Sequence, residues 1–519
     1  MNIVWFKRDL RIVDHRPLYE AAAKGSVLCL YIAEPDYWQL PDTSARQWLA
    51  IADGLAELDH ALKSIYGVNL TIRTGNAVEV FKELHITNAI TAIFSHEETG
   101  NLWTYGRDKH VAQFCKENAI DWHEYPQFGV FRKLSNRDHW AARWDAFMSQ
   151  PLTATIGDVD AIEISPGRLP ERKDLGLASD PCPDRQRGGR KAGLALLESF
   201  LGGRGARYQY EMSSPLTAPQ ACSRLSLHLA TGTLSLREVF QRCEQTRHSL
   251  LDMPEMVRPI SLRSLNAFMS RLHWHCHFMQ KLESEPELEA RSVHPLHEAD
   301  RRITNPNDPI LWAWIEGRTG YPFVDACMRS LAFTGWINFR MRAMLMSFAT
   351  YHLALDWAVA GAALARRFTD YEPGIHWPQV QMQAGQTGIN TPRIYNPLKQ
   401  SFDQDPDAIF ISKWVPELAR LPLAFRHEPW LISSTEEIIY DVKIVVDYPK
   451  RIVDHEVAAT AARARLTGVR NSPGYRANGE KVFLKHGSRK KMVARVRAGV
   501  SKSQTQPEDH KDRQMMLDF

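Results

Sequence analysis

The spacing of apolar and polar positions changes character partway along the chain. Between residues 2 and 125, short runs rich in aliphatic and aromatic residues recur: "NIVWF" (2–6), "SVLCLYIA" (26–33), "NLTIRT" (69–74), "AITAIFS" (89–95) and "IDWHEY" (120–125). Between them lie "HRPLYEAAAKG", "ARQWLAIADGLAELDHALKSIYG", "AVEVFKELH" and "NLWTYGRDKHVAQFCKEN", in which apolar residues return every three to four positions. The first set has the length and residue types of strands, the second the spacing of amphipathic helices. Strictly alternating strands and helices predict an α/β domain with a doubly wound, five-stranded parallel sheet. The turn after the first strand, "KRDLR", has none of the glycines of a dinucleotide loop, so this domain is expected to support rather than catalyse.

Residues 162–192, "IEISPGRLPERKDLGLASDPCPDRQRGGRKA", have no sustained period and are rich in Pro, Gly and charge, which reads as linker. Beyond 193 strand signals largely disappear and helical patterns such as "SLNAFMSRLHWHCHFMQKLES" dominate. The expected organisation is an α/β domain over 1–130, a linker over 131–192, a larger all-helical domain over 193–480 and a basic tail over 481–519.

Composition narrows the picture. A chain of 519 residues exceeds one ordinary core. No apolar run approaches the roughly 18 residues that span a bilayer, and charges at Lys7, Arg8 and Asp9 interrupt the N-terminus too early for a signal peptide, so no membrane contact and a cytoplasmic place are expected. Seven cysteines without a CxxC pair predict neither a disulfide framework nor a metal centre. The net charge of +4 says little about partners, but residues 481–502 hold eight Lys or Arg and no acid.

Candidate chemistry sits where charge enters apolar helical sequence. "GRTGYPFVDACMRSLAFTGWINFRMRAMLMSFATYHLALDW" (317–357) carries Arg329, Arg340 and Arg342. An unpaired buried guanidinium costs several kcal/mol, so each needs water or an anion. The segment "RFTDYEPGIHWPQVQMQAGQTGINTPRIYNP" (367–397) supplies Asp370 as a partner, and its polar density implies a polar ligand. "SRLS" (223–226) reads as a helix start, where free N–H groups and hydroxyls favour an anion.

The blocks "VWFKRDLRIVDHRPL" (4–18), "SRLSLHLATGTLS" (223–235), "GRTGYPFVDACMRSLAFTGW" (317–336), "LDW" (355–357), "RIYNP" (393–397) and "HEPW" (427–430), in this order, resemble the DNA photolyase/cryptochrome family over nearly the whole chain. The resemblance implies FAD in the helical domain and an antenna chromophore, of folate, deazaflavin or lumazine type, in the α/β domain. It implies that Tyr210, Ser223, Arg224, Leu225 and Ser226 bind the phosphate and adenine side of FAD. Arg342 and Asp370, followed by Tyr371 and Glu372, would lie beside the flavin ring, with His376 near its N5. Trp274 would stack on a lesion in damaged DNA, Arg271 and Arg340 would contact DNA, and Trp357 and Trp377 would relay electrons. Arg329 fits neither role and is assigned a surface salt bridge.

The resemblance also has gaps. Phe339 falls where dimer-repair enzymes have Asn, Ala343 where the (6-4) branch has a catalytic His, and Arg271 replaces an acid. His376 replaces an Asn, the distal relay position falls near Thr304, and Leu102, Trp103 and Thr104 depart from the folate pattern that Arg107 and Asp108 retain. The implied activity is light-driven splitting of pyrimidine dimers by an electron from reduced flavin; the alternative is a cryptochrome-like blue-light receptor without repair. Finally, "QMMLDF" (514–519) resembles the peptide by which bacterial proteins bind the sliding clamp, through Gln514, Leu517 and Phe519.

Overall fold

A computed structural model describes residues 1–157, 159–162 and 164–489. The clamp-like peptide and the basic segment past Arg489 lie outside the described residues. Five strands, β1 (Asn2–Phe6), β2 (Val27–Ala33), β3 (Leu70–Thr74), β4 (Ala92–His96) and β5 (Asp121–Tyr125), form one parallel sheet in the order β3-β2-β1-β4-β5. Crossover helices α1 (Arg16–Ala22), α2 (Ala45–Tyr66), α3 (Ala77–Asn88) and α4 (Leu102–Glu117) cover it. β1 and β2 are buried on both faces, which is why their sequences run continuously apolar instead of alternating. Local chemistry sets the helix limits. A Ser44/Gln47 capping box opens α2 and Gly67, at φ +69°, closes it. Behind the sheet's carboxyl edge Asp9 Oδ2 accepts from His15 Nε2 and His96 Nδ1 at 2.9 and 2.7 Å, and His15 Nδ1 accepts from the Leu18 amide, so the three groups satisfy one another.

The second body is helical. Its principal helices are α5 (Leu262–Ser284), α6 (Pro322–Thr334), α7 (Phe339–Ser347), α8 (Trp357–Arg367), α9 (Pro373–Gln383), α10 (His455–Asn471) and α11 (Tyr475–His486). Residues 131–192 are not the free linker that composition suggests. A helix over Trp140–Met148 buries Trp140 and Trp144 in the helical domain's core, against Leu197 and Phe268 among others. Farther on, Val27 N–H donates to Asp160 O at 2.7 Å and Ile72 N–H to Pro166 O at 2.7 Å, so the chain runs back along the sheet domain. Backbone pairing of this sort needs no sequence period, and none warns of it.

The two bodies are joined at the segment that leads into α9. Arg46, fully buried, is held by Asp180 at 2.6 Å and donates to the carbonyls of Leu331, Ala332 and Arg367. Gln47 Nε2 donates to Ala365 O and Phe368 O, Arg8 to Tyr371 O and Glu372 Oε2 (2.8 Å), and the Tyr371 hydroxyl to Asp42. The α/β domain thereby fixes residues 365–372 from behind.

Candidate cofactor and substrate cavity

From this segment Phe368, Asp370, Tyr371 and Glu372 line a cavity with about 340 Å³ of free volume. Ordinary cofactor sites occupy roughly 300–1,000 Å³. α5, α7, α8, α9 and the short helix Ser226–Ala230 supply the other walls. Where α8 meets α9 the helices come close: a Cβ on Gly361 would stand 2.9 Å from the Trp377 ring. Most of the lining is apolar, including Phe268, Leu272, Phe278, Met346, Phe368 and Val380, and polar groups cluster at particular points.

Arg342 and Asp370 meet, the pair that the resemblance implied. Arg342 Nη2 lies 3.0 and 2.8 Å from the two Asp370 oxygens, Nε donates to Ile337 O at 2.8 Å, and the guanidinium packs 4.1 Å from the Phe368 ring centre. The pair lines the cavity with Asp370 buried and Arg342 partly open. Arg329 lies outside, paired with Glu417 at 2.7 Å. Tyr371 and Glu372 also line the cavity, but their polar atoms are committed to Asp42 and Arg8, so they shape the wall. Burial pushes the Glu372 carboxyl upward against the pull of Arg8.

Ser223, Leu225 and Ser226 also line the cavity. Arg224 does not: its backbone sits at φ +62°, which swings the side chain out to stack 4.1 Å over Trp336 and to reach Gln186 at 3.2 Å. Tyr210 is also misplaced by the sequence reading. It is 56% exposed and its hydroxyl accepts from Arg263, whereas Tyr208, 7% exposed, lines the cavity. Both stand in a single helical turn, Tyr208–Glu211, where residues two apart point to different sides and too few positions exist for a period to tell them apart. Asn338 was missed altogether. It precedes α7, donates from Nδ2 to Met212 O and Ser213 O, and leaves Oδ1 buried without a partner among the described residues. One Asn in an apolar run carries no signal of its own.

His376 also lines the cavity. Its Nε2–H donates to Gly361 O at 2.9 Å, which leaves Nδ1 as an acceptor. Burial, with a smaller contribution from Arg342, lowers its pKa to about 4, so it stays neutral at physiological pH and does not titrate there as a free imidazole would. Trp377 follows edge-on at 5.2 Å and Trp357 lies 6.3 Å beyond Trp377, while Thr304 accepts from the Asp356 amide. The three aromatic groups form a continuous row from the cavity wall outward.

α5 contributes Arg271 and Trp274 to the lining, and the first turn of α7 contributes Phe339 and Arg340. Trp274 packs against Phe278 and His277, Arg271 reaches the Tyr208 hydroxyl, Arg340 leaves Nε buried without a partner among the described residues, and Phe339 is 38% exposed. Ala343 lies in the wall.

The donor set fits FAD: a largely apolar cavity lined by Ser223 and Ser226, by a fixed arginine–aspartate pair, and by orphaned polar atoms at Asn338 and Arg340. An antenna fits less well. The crevice beyond the carboxyl ends of β1 and β2, where such sheets bind ligands, has about 80 Å³ of free volume. Arg107 is one of its lining residues, pairing with Glu98 at 2.6 Å, Asp108 at 2.8 Å and Glu34 at 3.1 Å and stacking 4.9 Å from Trp5.

Comparison with known proteins agrees with this geometry. The family model described as "DNA photolyase" matches residues 2–132, and the one described as "FAD binding domain of DNA photolyase" matches 268–468, together well over half the chain. The chain is 28% identical to a cryptochrome DASH of Gloeobacter violaceus over 89% of its length and 95% of that protein's. It is also 28% identical to the deoxyribodipyrimidine photo-lyase of Escherichia coli, over 90% and 99%. The fold is shared with a Synechocystis cryptochrome (TM-score 0.78, 23% identity, 89% of this chain and 98% of that one). An archaeal photolyase from Sulfolobus tokodaii, described with two FAD molecules, matches at TM-score 0.70 and 26% identity over 90% and 100%. With a five-stranded sheet domain docked on a helical body whose main cavity suits FAD, the chain belongs to the DNA photolyase/cryptochrome family.

Proposed function

We propose that the protein is a light-driven, FAD-dependent photolyase that splits pyrimidine dimers in UV-damaged DNA. The observation that carries this reading is that a single cavity contains both the Arg342–Asp370 pair and an aromatic and cationic lining of Trp274 and Arg271 from α5 and Arg340 from α7. Bound FAD in its reduced form supplies a light-driven electron and recovers it. The chain's part is to position and insulate. Asp370 fixes the Arg342 guanidinium as a permanent cation, and the apolar walls exclude water, which strengthens every charge inside. Trp274 offers an aromatic face to a base turned out of the duplex. Arg271 and Arg340 are donors only, suited to carbonyl or phosphate oxygens.

The test is illumination of the reduced, FAD-loaded protein with DNA carrying cyclobutane dimers or (6-4) products, single- or double-stranded. Light-dependent loss of one lesion is expected, and failure in all four arms sinks the reading. Arg271 on Tyr208 and the exposed Phe339, standing where dimer-binding groups are expected, favour the second reading, a cryptochrome-like receptor. It is the one that survives if flavin responds to light while every lesion persists. We also propose that Gln514, Leu517 and Phe519 bind a bacterial sliding clamp and concentrate the enzyme at replicating DNA. Anisotropy of the terminal peptide with clamp protein should show binding that Gln514→Ala and Phe519→Ala abolish; binding indifferent to both would rule it out.

A further inference from the structure

A second, smaller pocket shares a wall with the cavity. Trp274 and Phe278 line both, and beyond them stand His277 and Lys281 of α5 and His486 at the end of α11, with Asn390 and Ser488. Behind His277 lies Arg137, only 4% exposed. Its Nη2 donates to His277 Nδ1 at 2.7 Å, its guanidinium packs 4.7 Å from the Trp140 ring, and its Nη1 is buried without a partner among the described residues. No carboxylate pairs with it among those residues. The acids nearby are already engaged: Glu285 by His486 (2.5 Å) and Lys485 (2.9 Å), Asp138 by Arg489 (2.6 Å). His486 Nδ1 is also buried and without a partner among the described residues.

The electrostatics point the same way. Burial, and then the charge of Arg489, lower the Arg137 pKa to about 9; burial, Lys281 and Arg137 hold His277 well below its ordinary value. A guanidinium taken out of water without counter-charge costs several kcal/mol, and here it faces further cations. An anion among them would reverse the sign of each interaction and form charge-assisted hydrogen bonds. The position of the pocket indicates which anion. Its shared wall is the Trp274 side of the cavity, and a strand whose base enters that cavity carries a phosphate on either side of the base. α11 brings Lys481 and Lys485 to the same region.

We propose that this pocket, formed by His277, Lys281 and His486 and backed by Arg137, is a phosphate site that receives one backbone phosphate flanking the base held in the main cavity. The identity of the strand rests on the repair reading above; the chemistry of the pocket does not. In the FAD-loaded protein, Lys281→Met keeps the aliphatic stem against Phe278 and removes the charge. Anisotropy is measured with a single-stranded oligonucleotide bearing one cyclobutane dimer, and with versions in which one flanking phosphate at a time is an uncharged methylphosphonate. Wild type should lose about tenfold in affinity at one position. Lys281→Met should lose as much on the unmodified strand, little more at that position, and about 0.7 from the salt slope. Losses that simply add at every position would overturn the DNA assignment.

A second arm measures whether inorganic phosphate raises the melting temperature above chloride at equal ionic strength. The rise should appear in wild type and vanish in both Lys281→Met and His277→Gln, which also guards against one variant misfolding. Stabilisation by phosphate with additive DNA losses would leave a free-phosphate site and remove the DNA role, and no effect in either arm would remove the site. If lesions are neither preferred nor repaired while the phosphate effect persists, the repair reading falls and the pocket stands.

Discussion

Asp370 presents both carboxylate oxygens to one nitrogen of Arg342, and the arrangement explains how a charge persists in a largely apolar wall. Replacing Asp370 by Ala leaves the guanidinium with the Ile337 carbonyl and the Phe368 ring but, among the described residues, no paired carboxylate. Breaking a fully buried pair costs about 3–5 kcal/mol; because Arg342 keeps 24% of its side chain exposed, about 2 kcal/mol of stability is expected here, together with a tenfold or greater loss in flavin retention. Urea unfolding and flavin released on gel filtration measure the two. Unchanged values in both would show that the pair does not hold the site. Arg329 shows the contrast, since its Glu417 partner keeps it out of the cavity and no effect on flavin is expected from it.

At the scale of elements, the contact between α8 and α9 decides where the aromatic row runs. Gly361 is the point of closest approach: its carbonyl holds His376, and the space a Cβ would need is taken by Trp377 and Val380. Gly361→Ala should cost about 1–3 kcal/mol by overpacking and displace Trp377 from Trp357. If these tryptophans feed electrons to the cavity, light-driven reduction of bound flavin should slow markedly in Gly361→Ala and in Trp377→Phe, seen as slower bleaching of the oxidised flavin band under steady blue light. Bleaching at the wild-type rate in both variants would show that electrons enter by another route.

Across the whole molecule, burial keeps many histidines neutral. Desolvation lowers His228, His275, His297, His352 and His376 to about 4 and His96 to about 3. The unfolded chain regains a pKa near 6.5 at each, so as pH falls it binds protons before the folded one does. Stability is therefore complete above pH 6.5 and declines as pH drops from there towards 4, by roughly 1.4 kcal/mol per pH unit for each such histidine. Asp9, held well below its usual range by His15 and His96 despite its burial, adds to the loss at still lower pH. Melting temperatures in matched ionic strength should be level between pH 7 and 8 and fall by several degrees by pH 5.5. A level curve throughout would contradict the burial of these rings.

Periodicity determined the five strands and their crossover helices to within about three residues at each end, because a helix-covered sheet demands apolar strands of set length and amphipathic helices between them, and both demands are local. The pairing of Arg342 with Asp370 was legible through the family resemblance; the residues alone required a counter-charge for arginines in an apolar helix and offered Asp370 as one candidate. What remained undecided depends on directions in space. A single turn of helix chose Tyr208 over Tyr210, a left-handed backbone turned Arg224 away, and hydrogen bonds along the sheet converted the apparent linker into packed structure. The buried arginine behind His277 could not be read at all. Arg137, α5 and α11 are far apart in sequence, and only folding puts their charges around one pocket, because electrostatic cost is set by distance and solvent exclusion, neither of which composition or spacing records.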